Sequence, residues 1–228
     1  MSQQFDILAI MTNFLAILIS LTLHEFAHAY VADKMGDPTP RRYDRLNLNP
    51  ITIIKAHPFG ALIVPLIGAT QGFLLGWAAT PVNPHLVNRK YSLRQAERWI
   101  ALAGPLSNVL LAILSALFLA ALHIIVVGNQ PELRTPLAPL LDLSEALLIT
   151  NIFLALFNMI PIPPFDGFTV LSSSIPRDLA DITKLLEQYG NMIILFVLFF
   201  GGRILSPIIY TCSRFLYETS VSFFLLFY

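Results

Sequence analysis

A single cysteine, Cys212, in 228 residues rules out an intramolecular disulfide framework and any metal site built from thiolates alone. Charge is scarce as well: only 12% of residues are Asp, Glu, Lys or Arg, and fourteen acidic side chains balance fourteen basic ones. Without a basic stripe the chain lacks the electrostatic footprint of a nucleic-acid binder, so no nucleic acid partner is expected. Internal repeats and low-complexity tracts are missing too. The first apolar stretch has neither a basic n-region nor a small-residue cleavage site, and it is expected to remain a helix of the mature protein. For any metal site, imidazole and carboxylate are the ligands left.

Apolar residues are what the chain has in abundance. They make up 56% of it, with a mean hydropathy of +0.69, well outside soluble usage, so its solvent is a lipid bilayer. The expected fold is an all-α polytopic membrane protein forming one domain over residues 1–228, with a core at 5–175 and a C-terminal helical region at 188–228. The first helix covers residues 5–23 and continues through HEFAHAYVADKM until Gly36, Asp37 and Pro38 stop it. A second runs over about 99–127 and a third over about 140–160. Beyond residue 191 the apolar pattern is interrupted at Gly201, Gly202, Arg203 and Pro207, which predicts one span and one shorter interfacial helix.

Residues 59–79 are apolar but carry Gly60, Pro65, Gly68, Gly72 and Gly76, which suits a bent or strand-like pair better than a straight helix. Nine of the fourteen basic residues lie in the two loops that flank this segment, whereas the connection between the second and third helices has only Arg134. By the positive-inside tendency both basic loops are cytoplasmic, so residues 59–79 should enter the membrane and return on the same side. Such a re-entrant segment is tolerated where protein or a water-filled cavity shelters its backbone.

The first helix ends in His24-Glu25-Phe26-Ala27-His28. Histidines at i and i+4 share a helical face and can reach one tetrahedral ion, while Glu25 sits beside that face, placed to take a proton from water activated by the ion. A catalytic zinc site normally needs a third protein ligand, and among the few acidic residues Asp166 stands out at the end of PIPPFDG, stiffened by three prolines and followed by Gly167. An Asp-Gly pair also suits a plain turn. Topology favours the ligand reading: if the first helix exits on the cytoplasmic side, the second enters there and the third returns there, bringing Asp166 to the face and depth of His28. Within the second helix, Gly104, Pro105, Ser107 and Asn108 interrupt the apolar run, with Ser107 and Asn108 read chiefly as structural partners for backbone freed by the proline. Asn158 reads equally as a donor to a tetrahedral intermediate or as glue between helices. His57, His85 and His123 lack ligand spacing and read as loop or boundary residues.

The motifs HEFAHAY, AGPLSN and NMIPIPPFDG, in that order across residues 14–172, resemble those of the site-2 protease family of intramembrane zinc metalloproteases. The resemblance implies that His24, His28 and Asp166 bind one Zn2+ per chain, that Glu25 is the general base, and that Asn158 assists the substrate or the oxyanion. It also implies a three-helix catalytic core with a re-entrant β-hairpin between the first two helices. Substrates would be membrane-anchored proteins, cut in regulated intramembrane proteolysis with the active site nearer the cytoplasmic face, in the inner membrane if the source is bacterial. Many bacterial members carry a PDZ module between the first two core helices, for which this chain has no room; Phe165 stands where the family more often has leucine. The competing class is a non-catalytic membrane scaffold or a zinc-carrying membrane protein. Against it stand the retained Glu25 and the lack of any series of ligands along a path through the bilayer.

Overall fold

The computed structural model of the chain describes residues 6–71, 76–126, 134–176 and 180–226. Helix α1 spans Ile7–Met35, capped at its start by the Asp6 side chain and ended by Gly36. Gly36 adopts φ 104°, the left-handed conformation a C-terminal cap requires, and packs on Asn88. Short helices α2 (Thr39–Arg42) and α3 (Pro50–Ala56) follow. A π-helical turn at Phe59–Ile63 then leads into α4 (Val64–Gln71). After a 3-10 turn at Pro84–Leu86, the core continues with α5 (Leu93–Ile124) and α6 (Arg134–Asn158). Helix α7 (Asp166–Ser174) and the long α8 (Ala180–Leu225) complete the chain.

Among the described residues, three helices are long and apolar enough to cross a membrane: α1, α5 and α6. They pack on one another, and the reason lies in the four-residue spacing of their small and polar side chains. Ala16, Ser20, His24, His28 and Ala32 form one buried stripe on α1; Ala96, Ile100, Gly104, Asn108, Ala112 and Ala116 form another on α5. Large apolar residues occupy the outer faces, such as Leu8, Met11 and Leu15 on α1, and Leu106, Leu110, Leu114 and Phe118 on α5. Lipid tails are as apolar as leucine, so small residues that let backbones approach, and polar groups that pair across the interface, decide which face is buried.

Of the segment expected to be a β-hairpin, residues 59–71 are helical instead, and the described residues contain no strand. Residues 59–71 satisfy their backbone within a π turn and an α-helix, the arrangement that needs no partner strand in an apolar medium. The chain nevertheless returns to where it left. His57 Nε2 bonds the Ala79 carbonyl at 2.8 Å, and Trp77 N–H donates to the Gly60 carbonyl at 3.0 Å. Buried Asp37 accepts from the N–H groups of Thr39 (2.9 Å) and Asn83 (2.6 Å), closing the excursion. Gly60 is required at the crossing, because a Cβ there would fall on the Trp77 carbonyl oxygen.

The C-terminal region also differs from expectation: α8 runs unbroken for 46 residues through Gly201, Gly202, Arg203 and Pro207. In an apolar setting a broken helix leaves backbone groups with no water to bond, so glycines that would end a helix in water are carried through. Proline forfeits one N–H only, and Thr211 Oγ1 donates to the Pro207 carbonyl at 2.8 Å. Ile209, Cys212, Leu216 and Tyr217 of α8 pack on a core cluster from α5 and α6 that includes Ala112, Ala116, Leu119, Leu148 and Ile152.

Candidate metal centre

Helix α1 presents His24 and His28 one turn apart on its buried face, and α7 brings Asp166 to them from its first position. His24 Nε2 and His28 Nε2 lie 3.0 Å apart, and each stands 3.2 to 3.3 Å from Asp166 Oδ2. The other ring nitrogens are engaged: His24 Nδ1 meets Asn108 Oδ1 at 2.6 Å, and His28 Nδ1 meets the Ile100 carbonyl at 2.6 Å. Both partners are acceptors, so a neutral ring spends its one proton at Nδ1 and turns a bare Nε2 lone pair inward. Protonating both rings instead would set two N–H groups against each other across 3.0 Å. Asp166 Oδ2 itself is buried and has no hydrogen-bond donor. Three lone-pair donors converging this closely repel unless a proton or a metal cation lies among them. Ligands about 2.0 Å from a tetrahedral zinc are separated by roughly 3.3 Å, the spacing found here. The residues therefore fit a zinc ion, and they are the one group of three among the described residues that could hold a metal.

Two glycines make the approach feasible. Gly104 on α5 passes directly over the imidazoles: a Cβ there would fall on His28 Nε2 and lie 2.6 Å from His24 Nε2. Gly167, next to Asp166, leaves space for the carbonyls of Met159 and Ile160, where a Cβ would lie 2.8 Å from Ile160 O. Helix α7 is then held against α5 at its far end by Arg98 Nη2 to the Ser173 carbonyl (2.9 Å) and Arg94 Nη1 to the Ile175 carbonyl (3.0 Å). Cationic donors suit the carbonyl end of a helix. Truncating half-buried Arg98 to Ala is expected to cost about 1.5–3 kcal/mol, the worth of a hydrogen bond to a charged group. Arg94→Ala, at the exposed site, should cost less. Thermal melting of both variants in detergent checks the order.

A cavity of about 230 Å³ opens beside the three residues. Its walls include Glu25, Asn158, Glu97, the stretch Ala78, Ala79 and Thr80, and Thr169 of α7. Glu25 is 5% exposed, and its Oε2 has no hydrogen-bond partner. Asn158 is half-buried and gives one amide proton to the Leu154 carbonyl of its own helix at 3.0 Å, which leaves its second amide proton uncommitted by that bond. The remaining histidines lie elsewhere: His57 ties the returning segment, His85 is exposed, and His123 Nδ1 meets the Tyr217 hydroxyl at 3.1 Å between α5 and α8. Sequence reasoning treated Asn108 as chiefly structural and did not single out Asn151, Glu97 or the Ile100 carbonyl. An Asn at 151 inside an apolar helix was the available signal.

A donor set of this kind, reached from within a bundle of membrane-crossing helices, marks an integral membrane zinc metalloprotease. The chain belongs to peptidase family M50, whose family model matches residues 12–132. It is 33% identical over 200 residues to YwhC of Bacillus subtilis (strain 168), covering 86% of this chain and 84% of YwhC. Similarity extends to Rip2 of Mycolicibacterium smegmatis, 25% identical over 79% of this chain and 64% of Rip2. MJ0392 of Methanocaldococcus jannaschii is 26% identical over 90% of this chain and 47% of its own length. All three carry "zinc metalloprotease" in their names. No solved structure matches the chain.

Proposed function

We propose that the chain is an intramembrane endopeptidase that cuts membrane-anchored proteins in or beside their transmembrane segments, in regulated intramembrane proteolysis, from a site nearer the cytoplasmic face. Support comes from one observation above the others: buried Glu25, with Oε2 unpartnered, lines the same cavity as the convergent His24, His28 and Asp166. In this reading the three converging side chains hold the zinc. Bound zinc supplies Lewis-acid polarisation and acidifies water at neutral pH.

Each other step falls to the chain's own residues. Glu25 Oε2 accepts the proton of the attacking water and returns it to the leaving amine nitrogen as the C–N bond breaks. Asn158 offers its second amide N–H to the oxyanion from the cavity wall. A substrate helix hides its peptide bonds in i to i+4 bonding, so it must unwind locally to be cut. The cavity gives the unwound segment a place lined by protein rather than lipid.

The test is cleavage of a model membrane-anchored substrate by the purified chain in proteoliposomes. Chelation should stop cleavage and added zinc should restore it, and Asp166→Ala should lose both zinc and activity. Zinc binding without any cleavage of anchored substrates would leave the scaffold reading instead.

A further inference from the structure

Behind His24 runs a chain of buried polar groups that links all three crossing helices. His24 Nδ1 meets Asn108 Oδ1 at 2.6 Å; Asn108 Nδ2 donates to Asn151 Oδ1 at 2.8 Å; Asn151 Nδ2 donates to Ser20 Oγ and to the Leu147 carbonyl, each at 2.8 Å. Ser20 Oγ in turn donates to the Ala16 carbonyl at 2.7 Å. Ser20, Asn108 and Asn151 are all 0% exposed.

Each of these amides could in principle be turned over, so the direction of the chain has to be set from an end that cannot turn. Two backbone carbonyls set it. Ser20 spends its single proton on Ala16 and must accept from Asn151. Asn151 spends both amide protons, on Ser20 and Leu147, so its oxygen faces Asn108 and can only accept. Asn108 must then point its amide protons at Asn151 and its oxygen at His24, and His24 must donate from Nδ1. The bare lone pair is left on Nε2, aimed at Asp166 and His28. For His28 the same result comes in one step, from the Ile100 carbonyl.

We infer that Asn108 and Asn151 form a positioning relay that locks His24 in its metal-binding tautomer and orientation, with the Ala16 and Leu147 carbonyls as its reference. Because both amides are wholly buried, no water is at hand to reset one that has lost its partner. The inference rests on the proposed role of His24 as a zinc ligand. Partners behind a ligating histidine typically govern metal affinity by 10- to 100-fold.

The experiment titrates zinc against a competing chelator on the full chain in detergent and reads the ring 15N shifts of histidine-labelled, zinc-free protein. Asn108→Leu should weaken zinc binding by about 10- to 100-fold. Asn108→Asp keeps an acceptor facing Nδ1 but turns its second oxygen on Asn151 Oδ1, so it should recover part of the loss. Asn151→Leu, which touches no ligand, should weaken binding by a smaller factor and shift His24 toward a mixture of tautomers. Ser20→Ala should change little, because the Leu147 carbonyl still directs Asn151. A packing role predicts the opposite order at position 108, with leucine tolerated and the buried aspartate not. Zinc affinity of Asn108→Leu equal to the parent's, or an Asn108→Asp variant no better than it, overturns the relay. Should Asn108→Leu fail to fold, an unchanged His24 tautomer in Asn151→Leu overturns it alone. His24→Ala separates the two layers of inference: undiminished zinc affinity there refutes the ligand assignment itself.

Discussion

Glu25→Gln is expected to retain the parent's zinc content while losing turnover by about 10²–10⁴-fold, the range that a positioned general base contributes. The substitution keeps the side chain's shape and removes only its capacity to accept a proton. A carboxylate 5% exposed with an oxygen unpartnered is costly in this environment, and among the described residues no ion pair with a cation offsets that cost. Its position in the cavity beside the converging imidazoles supplies the reason. Metal analysis together with cleavage of an anchored model substrate decides the matter. Turnover within tenfold of the parent would place the base elsewhere; zinc lost along with cleavage would make Glu25 a structural residue.

Adding one methyl group at Gly104 should have a comparable effect by a different route. In an ordinary helix interior Gly→Ala stabilises by about 1 kcal/mol, so propensity alone predicts a sturdier protein. Here the new Cβ would fall on His28 Nε2 and crowd His24 Nε2, the two atoms that face Asp166. Neither ring can swing aside without breaking its bond to Asn108 or to the Ile100 carbonyl. Overpacking of this kind costs about 1–3 kcal/mol. That is enough to weaken zinc binding by about ten- to a hundredfold. Without zinc a ring can yield at the cost of one of those hydrogen bonds, which the gain in helix propensity offsets, so Gly104→Ala should melt near the parent's temperature. With zinc the rings must return to the Cβ, and the metal should bind poorly. A variant that binds zinc as the parent does would show that α5 lies further from the imidazoles than this packing requires.

Much of this protein is legible along the chain because bilayer physics is local. Apolar run length and the cap at Gly36 place α1 to within two residues at its start and one at its end. Helix α5 begins at Leu93, about six residues earlier than the apolar pattern suggests, because Ser92 and Gln95 form a capping box and its first turns are polar. Residues 59–71 and the run through Gly201 to Pro207 were misjudged for a shared reason. Glycine and proline are read as breakers on the premise that water will take up the freed backbone groups, and in an apolar medium the helix is the cheaper state.

By itself the sequence determined the solvent, the three crossing helices, the i and i+4 histidines with their neighbouring glutamate, and, through crossing parity, that Asp166 returns to the face of His28. Each of those follows from spacing within one helix or from counting passages of the bilayer. Tertiary structure alone decided that Gly104 leaves room for the imidazoles, that Arg94 and Arg98 pin α7, and that Asn108, Asn151 and Ser20 align behind His24. These depend on which side chains of different helices meet at one level, and that is set by the rotation and offset of packed helices, which no periodicity within a single helix encodes.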